Sequence, residues 1–223
     1  MNFLSHYYFD QQAHDSNFVL GLVLPDLTKN FNKTWNIHPH KFHDKLSADQ
    51  SLLSIYKGWQ KHLMVDKYFH SSTFFKNETD KVKEVITPLL VGTQVRPFIL
   101  AHIGLELILD SLLIETQKID VAKFYTHLKQ ADRSILLNYL SINNILEPAT
   151  FFSFYDKFVE NQYLFSYTDY QKLVYALNRI CYGVWGTHFT EETKEELQQV
   201  LTTYKDTLID HFMKIFDEIE SKI

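Results

Sequence analysis

Apolar residues recur at three- to four-residue spacing through most of the chain, and only six glycines and five prolines punctuate it, so a sheet would have few turns to work with. The pattern predicts helices. Two short ones cover about 2–13 and 17–28, broken near Asp15, Ser16 and Asn17. A polar, His-rich connection from Asn30 to His43 leads into a long helix or helix pair over 44–71, and another helix spans 72–90, closed by Gly92 before Pro97. The segment from Pro97 to Glu115 is apolar on nearly every side, which marks a central buried helix. Amphipathic helices follow over 120–142, 147–163 and 167–185. A last one opens at Thr190, an N-cap followed by Glu191 and Glu192, with a stripe of Leu197, Val200, Leu201, Tyr204, Leu208, Phe212, Ile215, Phe216 and Ile219. No repeat, low-complexity tract or linker divides the chain, so the expectation is an all-α fold in a single helical domain over 1–223.

Composition narrows the class. Hydrophobic residues at 45% and charged residues at 22% are close to a globular average. The aromatic share of 15% is high, and its simplest use is packing helix against helix. No run approaches the ~20 apolar residues of a membrane span, and MNFLSHYYFD turns polar too early for a signal peptide. Cys181 is the only cysteine, which excludes an internal disulfide and a cysteine zinc site and fits a reducing, cytoplasmic setting. A net charge of -5 offers no global attraction for nucleic acid. Locally, residues 29–67 carry seven lysines against Asp44, Asp49 and Asp66.

On the central helix, His102, Glu106 and Asp110 stand at i, i+4 and i+8 and so share one face amid Ile103, Leu105, Leu107, Ile108 and Leu109. Buried carboxylates need a metal, a cation or hydrogen-bond donors. His62, Asp66 and His70 form a second stripe of the same period. Helical proteins build metal sites from inward-facing His and carboxylate ligands, and this mixture suits Mn, Fe or Zn. One stripe spans about 12 Å at 1.5 Å per residue, so its three members cannot all hold one ion. Two metals, or one metal with outer neighbours, fit better.

The remaining histidines carry less. His38, His40 and His43 in HPHKFHD have the wrong order for a metallo-β-lactamase-like HxHxDH motif and read as a mobile loop or an adventitious surface site. His14-Asp15 and His43-Asp44 imitate an HD pair in loops, and His127, His188 and His211 read as solvated or structural. Arg96, Arg133 and Arg179 are the only arginines, and nothing in the sequence selects one as a phosphate clamp. Cys181 has no base near it in sequence, and no phosphate-binding glycine loop or GxSxG elbow is present, which leaves metal-assisted hydrolysis.

Four segments occur in order: MNFLSH at residues 1–6, GLVLPD from Gly21 to Asp26, GWQKHLMVD from Gly58 to Asp66, and LELILD from Leu105 to Asp110. Their order and intervals resemble the acyl carrier protein phosphodiesterase family, helical relatives of the HD-type metal phosphohydrolases. That family shows MNFLAH, G-N-L-L-A-D, G-I-H-M-H-R-R-I-D and L-D-x-x-x-D-H. The resemblance covers most of the chain at low identity. Glu106 stands for the first Asp of the last motif and Ser111 for its His, Gln60 for a His, His70 for an Asp, and Leu63 and Met64 for the two arginines.

The resemblance implies an HD-like helical bundle that hydrolyses the phosphodiester between 4'-phosphopantetheine and a serine of acyl carrier protein, with His6, Asp26, His62, Asp66 and Asp110 functional. Combined with the two stripes, the expected metal ligands are His6, Asp26, His62, Asp66, His102, Glu106 and Asp110 around a divalent ion, Mn first, Fe or Zn otherwise. Asp26, His62, Asp66 and His70 are the expected catalytic residues, with His70 and His102 as outer ligands or proton donors. Asp26, His62, Asp66 and Asp110 are expected to converge, and removal of Asp110 to relieve charge repulsion in the metal-free protein. The lysine-rich segment would receive the acidic carrier protein. The alternatives are a non-catalytic helical binding protein and a metal-dependent phosphatase of a small phosphate ester or nucleotide.

Overall fold

The computed structural model describes residues 3–145 and 148–223, and among these there are α-helices, short 3-10 turns and no strand. The helices are α1 (Phe3–Tyr8), α2 (Ser16–Phe31), α3 (His43–Ser47), α4 (Gln50–Ser71), α5 (Thr73–Ile86), α6 (Pro97–Glu115), α7 (Val121–Gln130), α8 (Arg133–Ile142), α9 (Ala149–Asn161), α10 (Tyr170–Trp185), α11 (Glu191–Leu208) and α12 (Met213–Glu220). The all-α expectation holds, and the apolar segment from Pro97 forms α6 to the residue.

Short polar side chains set most of the helix starts. Asp15, Ser72, Asp120, Asp132, Asp169 and Thr190 each accept from backbone N–H groups of the first turn that have no partner within the helix. One of these caps and one proline correct the expected boundaries. Asp132 takes the N–H groups of Ser134 and Ile135, so the expected helix over 120–142 is two helices, α7 and α8. Pro88, which has no N–H to donate, turns the end of the helix expected over 72–90 into a 3-10 turn from Thr87 to Leu90. The first helix stops at Tyr8 rather than 13, and the last one breaks between Leu208 and Met213. Asn2 and Glu147, taken as the first residues of two helices, lie outside the described residues, as do Met1 and Asn2 of the opening hexapeptide.

Residue contacts sort the chain into two compact units. The first comprises the residues up to Ser5, Lys67–Lys118 and Leu164–Ile223; the second comprises His6–Asp66 and Ile119–Tyr163. In the first, α6 packs against α5, α10 and α11, and α11 against α10 and α5. The hydroxyl of Tyr204 on α11 donates to Glu78 on α5, and Lys205 reaches both oxygens of Glu115 at 3.1 and 3.2 Å. By length and apolarity, α6 is the one described helix that could cross a membrane, but 67% of that window is buried inside the protein, so the neighbouring helices account for its apolar faces.

In the second unit, α2 packs against α7 and α9, and Phe31, Trp35, Phe151 and Phe154 form an aromatic cluster with ring centroids 5.1 to 6.2 Å apart. A tight approach joins α2 and α4. A Cβ added to Gly21 would lie 2.3 Å from the Ile55 carbonyl oxygen, and one added to Gly58 would lie 2.2 Å from the Phe18 carbonyl oxygen. Only glycine at both positions lets the two backbones meet.

Candidate metal centre

The glycine contact between α2 and α4 fixes what lies further along each helix. Asp26 is five residues beyond Gly21, while His62 and Asp66 are four and eight beyond Gly58 and therefore on its face of α4. Asp26, His62 and Asp66 line one cavity of about 500 Å³, within the usual range for a small-ligand site. The remaining walls include Trp35, Ile37, Pro39, Tyr56, Trp59 and Leu63, which are apolar or aromatic, and the polar His38, His40, Gln60 and Lys29.

His62 is 4% exposed, and its Nδ1 lies 2.8 Å from the Leu22 carbonyl oxygen. A carbonyl only accepts, so this contact assigns a proton to Nδ1 and leaves Nε2 as the ring nitrogen not taken up by the backbone. Such an outer hydrogen bond is the usual way a metal-binding imidazole is oriented. Pro25 shapes the same stretch of α2: it has no N–H for the Gly21 carbonyl, and its ring pushes against that turn.

His6, fully buried on α1, stacks on His62 with centroids 3.8 Å apart and 22° between planes. One ligand atom from each of His6, His62 and Asp66 falls within 4.8 Å of the others. Burial opposes ionisation of Asp26, yet positive charge around it, the imidazoles of His62 and His6 included, holds its carboxyl below the ordinary range. Two imidazoles and two carboxylates therefore gather in the second unit, a donor set that suits a divalent ion of the Mn, Fe or Zn type.

The other expected residues belong to the first unit. His70, His102 and Glu106 form a second group in the first unit, again with one ligand atom each within 4.8 Å. Burial opposes ionisation of Glu106 as well, but nearby positive charge, with His102 and His70 contributing, keeps its carboxyl low. Asp110 is fully buried, and its oxygens accept from the Ser5 N–H at 2.8 Å, the Ser5 hydroxyl at 2.7 Å and the Leu4 N–H at 3.1 Å. Those N–H groups belong to the first turn of α1, so Asp110 caps that helix from 105 residues away. Burial pushes its carboxyl up to about 7 against the pull of the three donors.

Some of the simpler readings also meet their contacts. Asp15 is the N-cap of α2 and accepts from Ser54; His43 and Asp44 are an exposed pair 3.5 Å apart; His188 stacks on Tyr182 at 4.1 Å. Arg133 grips Asp156 with both terminal nitrogens and lies over Phe152, which makes it a structural cation. The sequence reading missed His38 and His40, set aside as loop residues although they line the cavity with Asp26 and His62. Their signal was the HPH spacing itself, with Pro39 buried between two exposed imidazoles. Lys29, counted with the basic segment, is the staple of that wall: its ammonium donates to the Trp35 carbonyl at 2.6 Å. Comparison of the chain with protein-family models, with curated proteins and with solved structures finds no match.

Proposed function

We propose that this protein is a metal-dependent phosphodiester hydrolase, with His6, Asp26, His62 and Asp66 as the ligands of a divalent ion, Mn²⁺ first. The observation that carries the reading is the cavity: three groups of metal-binding type open into it, and one of them, His62, has its outer nitrogen tied to a backbone carbonyl so that the inner one is available. A bound ion supplies Lewis acidity, lowering the pKa of water towards neutrality and offsetting charge on phosphoryl oxygens. His62 and His6 would hold the ion and Asp26 and Asp66 would neutralise its charge. Among the cavity walls, His38 and His40 are imidazoles that can give a proton to the leaving oxygen.

The substrate follows from the family resemblance: the phosphodiester between 4'-phosphopantetheine and a serine of acyl carrier protein. The apolar walls at Trp35, Ile37, Tyr56, Trp59 and Leu63 suit the long, uncharged pantetheine arm. Leu63 and Met64, which are 53% and 36% exposed, replace the family's arginines, so the acidic carrier falls to the lysines of segment 29–67. Lys61 is drawn towards Asp10 at 4.0 Å, Lys29 towards Trp35 and Lys45 over the Phe42 ring, and the exposed Lys41 and Lys57 are the cations assigned to the partner.

The test is incubation of the Mn²⁺-loaded protein with holo-acyl carrier protein, read by mass. Loss of the phosphopantetheine arm, absent in Asp26→Asn and His62→Ala, is the expected result. Cleavage of bis(p-nitrophenyl) phosphate without cleavage of the carrier would move the substrate to a small phosphate ester. Binding of the ion with no hydrolysis of either would make the chain a binding protein and end the enzymatic reading.

A further inference from the structure

The second cluster of imidazoles and carboxylate shares no residue with the proposed catalytic centre and does not depend on that proposal. Glu106 sits on α6 with its side chain 5% exposed; its Oε1 is 3.3 Å from His102 Nε2, one turn earlier on the same helix, and 3.6 Å from His70 Nε2 at the end of α4. Two imidazole nitrogens thus converge on a single carboxylate oxygen. A lone pair facing that oxygen is repelled, so each contact calls for a proton or a shared cation. Charge-assisted N–H···O bonds close to about 2.7–2.9 Å, and both contacts are longer than that. Around a tetrahedral zinc-type ion with ligand bonds of about 2.0–2.1 Å, neighbouring ligand atoms stand about 3.3–3.4 Å apart. The two observed separations bracket that edge, the His102 contact being at the same time a long hydrogen bond to Glu106.

The surroundings hold the rings in this arrangement. His70 and His102 stack at 4.6 Å with 22° between planes, and the buried Phe75 presses edgewise on both, at 5.0 Å and 75° and at 4.9 Å and 83°. Phe69 adds a further edge against His70 at 5.8 Å. Two ligand rings are therefore locked by an aromatic shell rather than left to rotate, which lowers the entropy lost when an ion binds. On the outer side, the side chains of His70 and His102 are 29% and 30% exposed, so an ion can enter from solvent and keep one position open to water or an anion.

We infer that His70, His102 and Glu106 form a binding site of their own for one divalent transition-metal ion of the Zn²⁺ or Co²⁺ type, held by two imidazoles and one carboxylate. Its donor set is richer in nitrogen than the proposed catalytic centre, which favours the later first-row ions over Mn²⁺.

The experiment is a Co²⁺ titration of the full-length, tag-free protein after stripping with chelator, followed by its visible absorption, because tetrahedral Co²⁺ absorbs far more strongly than octahedral Co²⁺. Wild type is expected to develop an intense band that saturates with one equivalent and is displaced by Zn²⁺. His102→Ala and Glu106→Gln should lose it, with at least about tenfold weaker binding, and His62→Ala should retain it. His70→Gln, read with far-ultraviolet circular dichroism to confirm helix content, repeats the test if an alanine variant does not fold. No such band in wild type, or a band that survives in His102→Ala and disappears in His62→Ala, overturns the inference. Retention of the band in a protein that hydrolyses no phosphodiester would leave this site standing and remove only the catalytic proposal.

Discussion

A carboxylate on a helix as apolar as α6 can be tolerated by a cation or by hydrogen-bond donors, and Asp110 uses donors. Two of its three partners, the Leu4 and Ser5 N–H groups, lie in the first turn of α1, where backbone donors have no acceptor within the helix. Asp110→Ala should therefore lower stability by about 2–3 kcal/mol, the cost of leaving buried donors unmet, in chelator as much as in metal, measured by denaturant unfolding. This reverses the relief of repulsion expected from the sequence; an unchanged or raised stability in chelator would show that the cap is not what Asp110 provides. Its carboxyl is raised to about 7, above the ordinary unfolded value, so the folded state holds the proton more tightly. The associated stability is fully present below about pH 4 and is lost as the pH rises through about 7. The stability of wild type relative to Asp110→Asn should fall across that window, and a flat difference would contradict the burial of the group. The position of Asp110 on a polar stripe was legible in the sequence. Its partners were not, because they lie more than 100 residues away and are backbone groups, which leave no mark on composition or spacing.

At the scale of elements, α2 and α4 are held by a contact that tolerates no side chain. Gly21→Ala would place a Cβ 2.3 Å from the Ile55 carbonyl oxygen and 2.9 Å from the Gly58 Cα, both backbone atoms that cannot step aside. The helices must separate, at a cost of about 1–3 kcal/mol or more, and His62 must leave the Leu22 carbonyl. Reduced stability together with weaker Mn²⁺ binding is expected from a melt and a calorimetric titration; metal affinity equal to wild type would detach the glycine contact from the site. Asp132→Ala, by contrast, should cost about 1 kcal/mol, the worth of an N-cap, without touching metal binding. Helix existence was readable throughout because periodicity reports a buried face. The boundaries went astray where one residue decided them, at Asp132 and at Pro88, and both were of a type that announces a cap or a stop. The α2–α4 contact was written as two glycines, but only the backbone geometry shows that they meet.

For the molecule as a whole, ligand-type residues that the sequence suggested for one centre resolve into a His6, Asp26, His62 and Asp66 set in one unit and a His70, His102 and Glu106 set in the other. Helical spacing alone named most of these residues, since i, i+4 and i+8 fix a face; it could not say which faces meet, because that depends on contacts distant in sequence. An ion bound at the first set should stabilise the folded protein by about 2.7 kcal/mol at a hundredfold excess over its Kd, a rise of about 5–10 °C in Tm for a chain of this size. His62→Ala should forfeit that rise, as read by paired melts with chelator and with Mn²⁺. The most direct test of the centre is an anomalous difference map from a crystal of the tag-free protein soaked in Mn²⁺. A peak about 2.0–2.3 Å from His62 Nε2 and from the carboxylates of Asp26 and Asp66 is the predicted result, and a cavity that stays without anomalous signal at saturating Mn²⁺ would contradict the account.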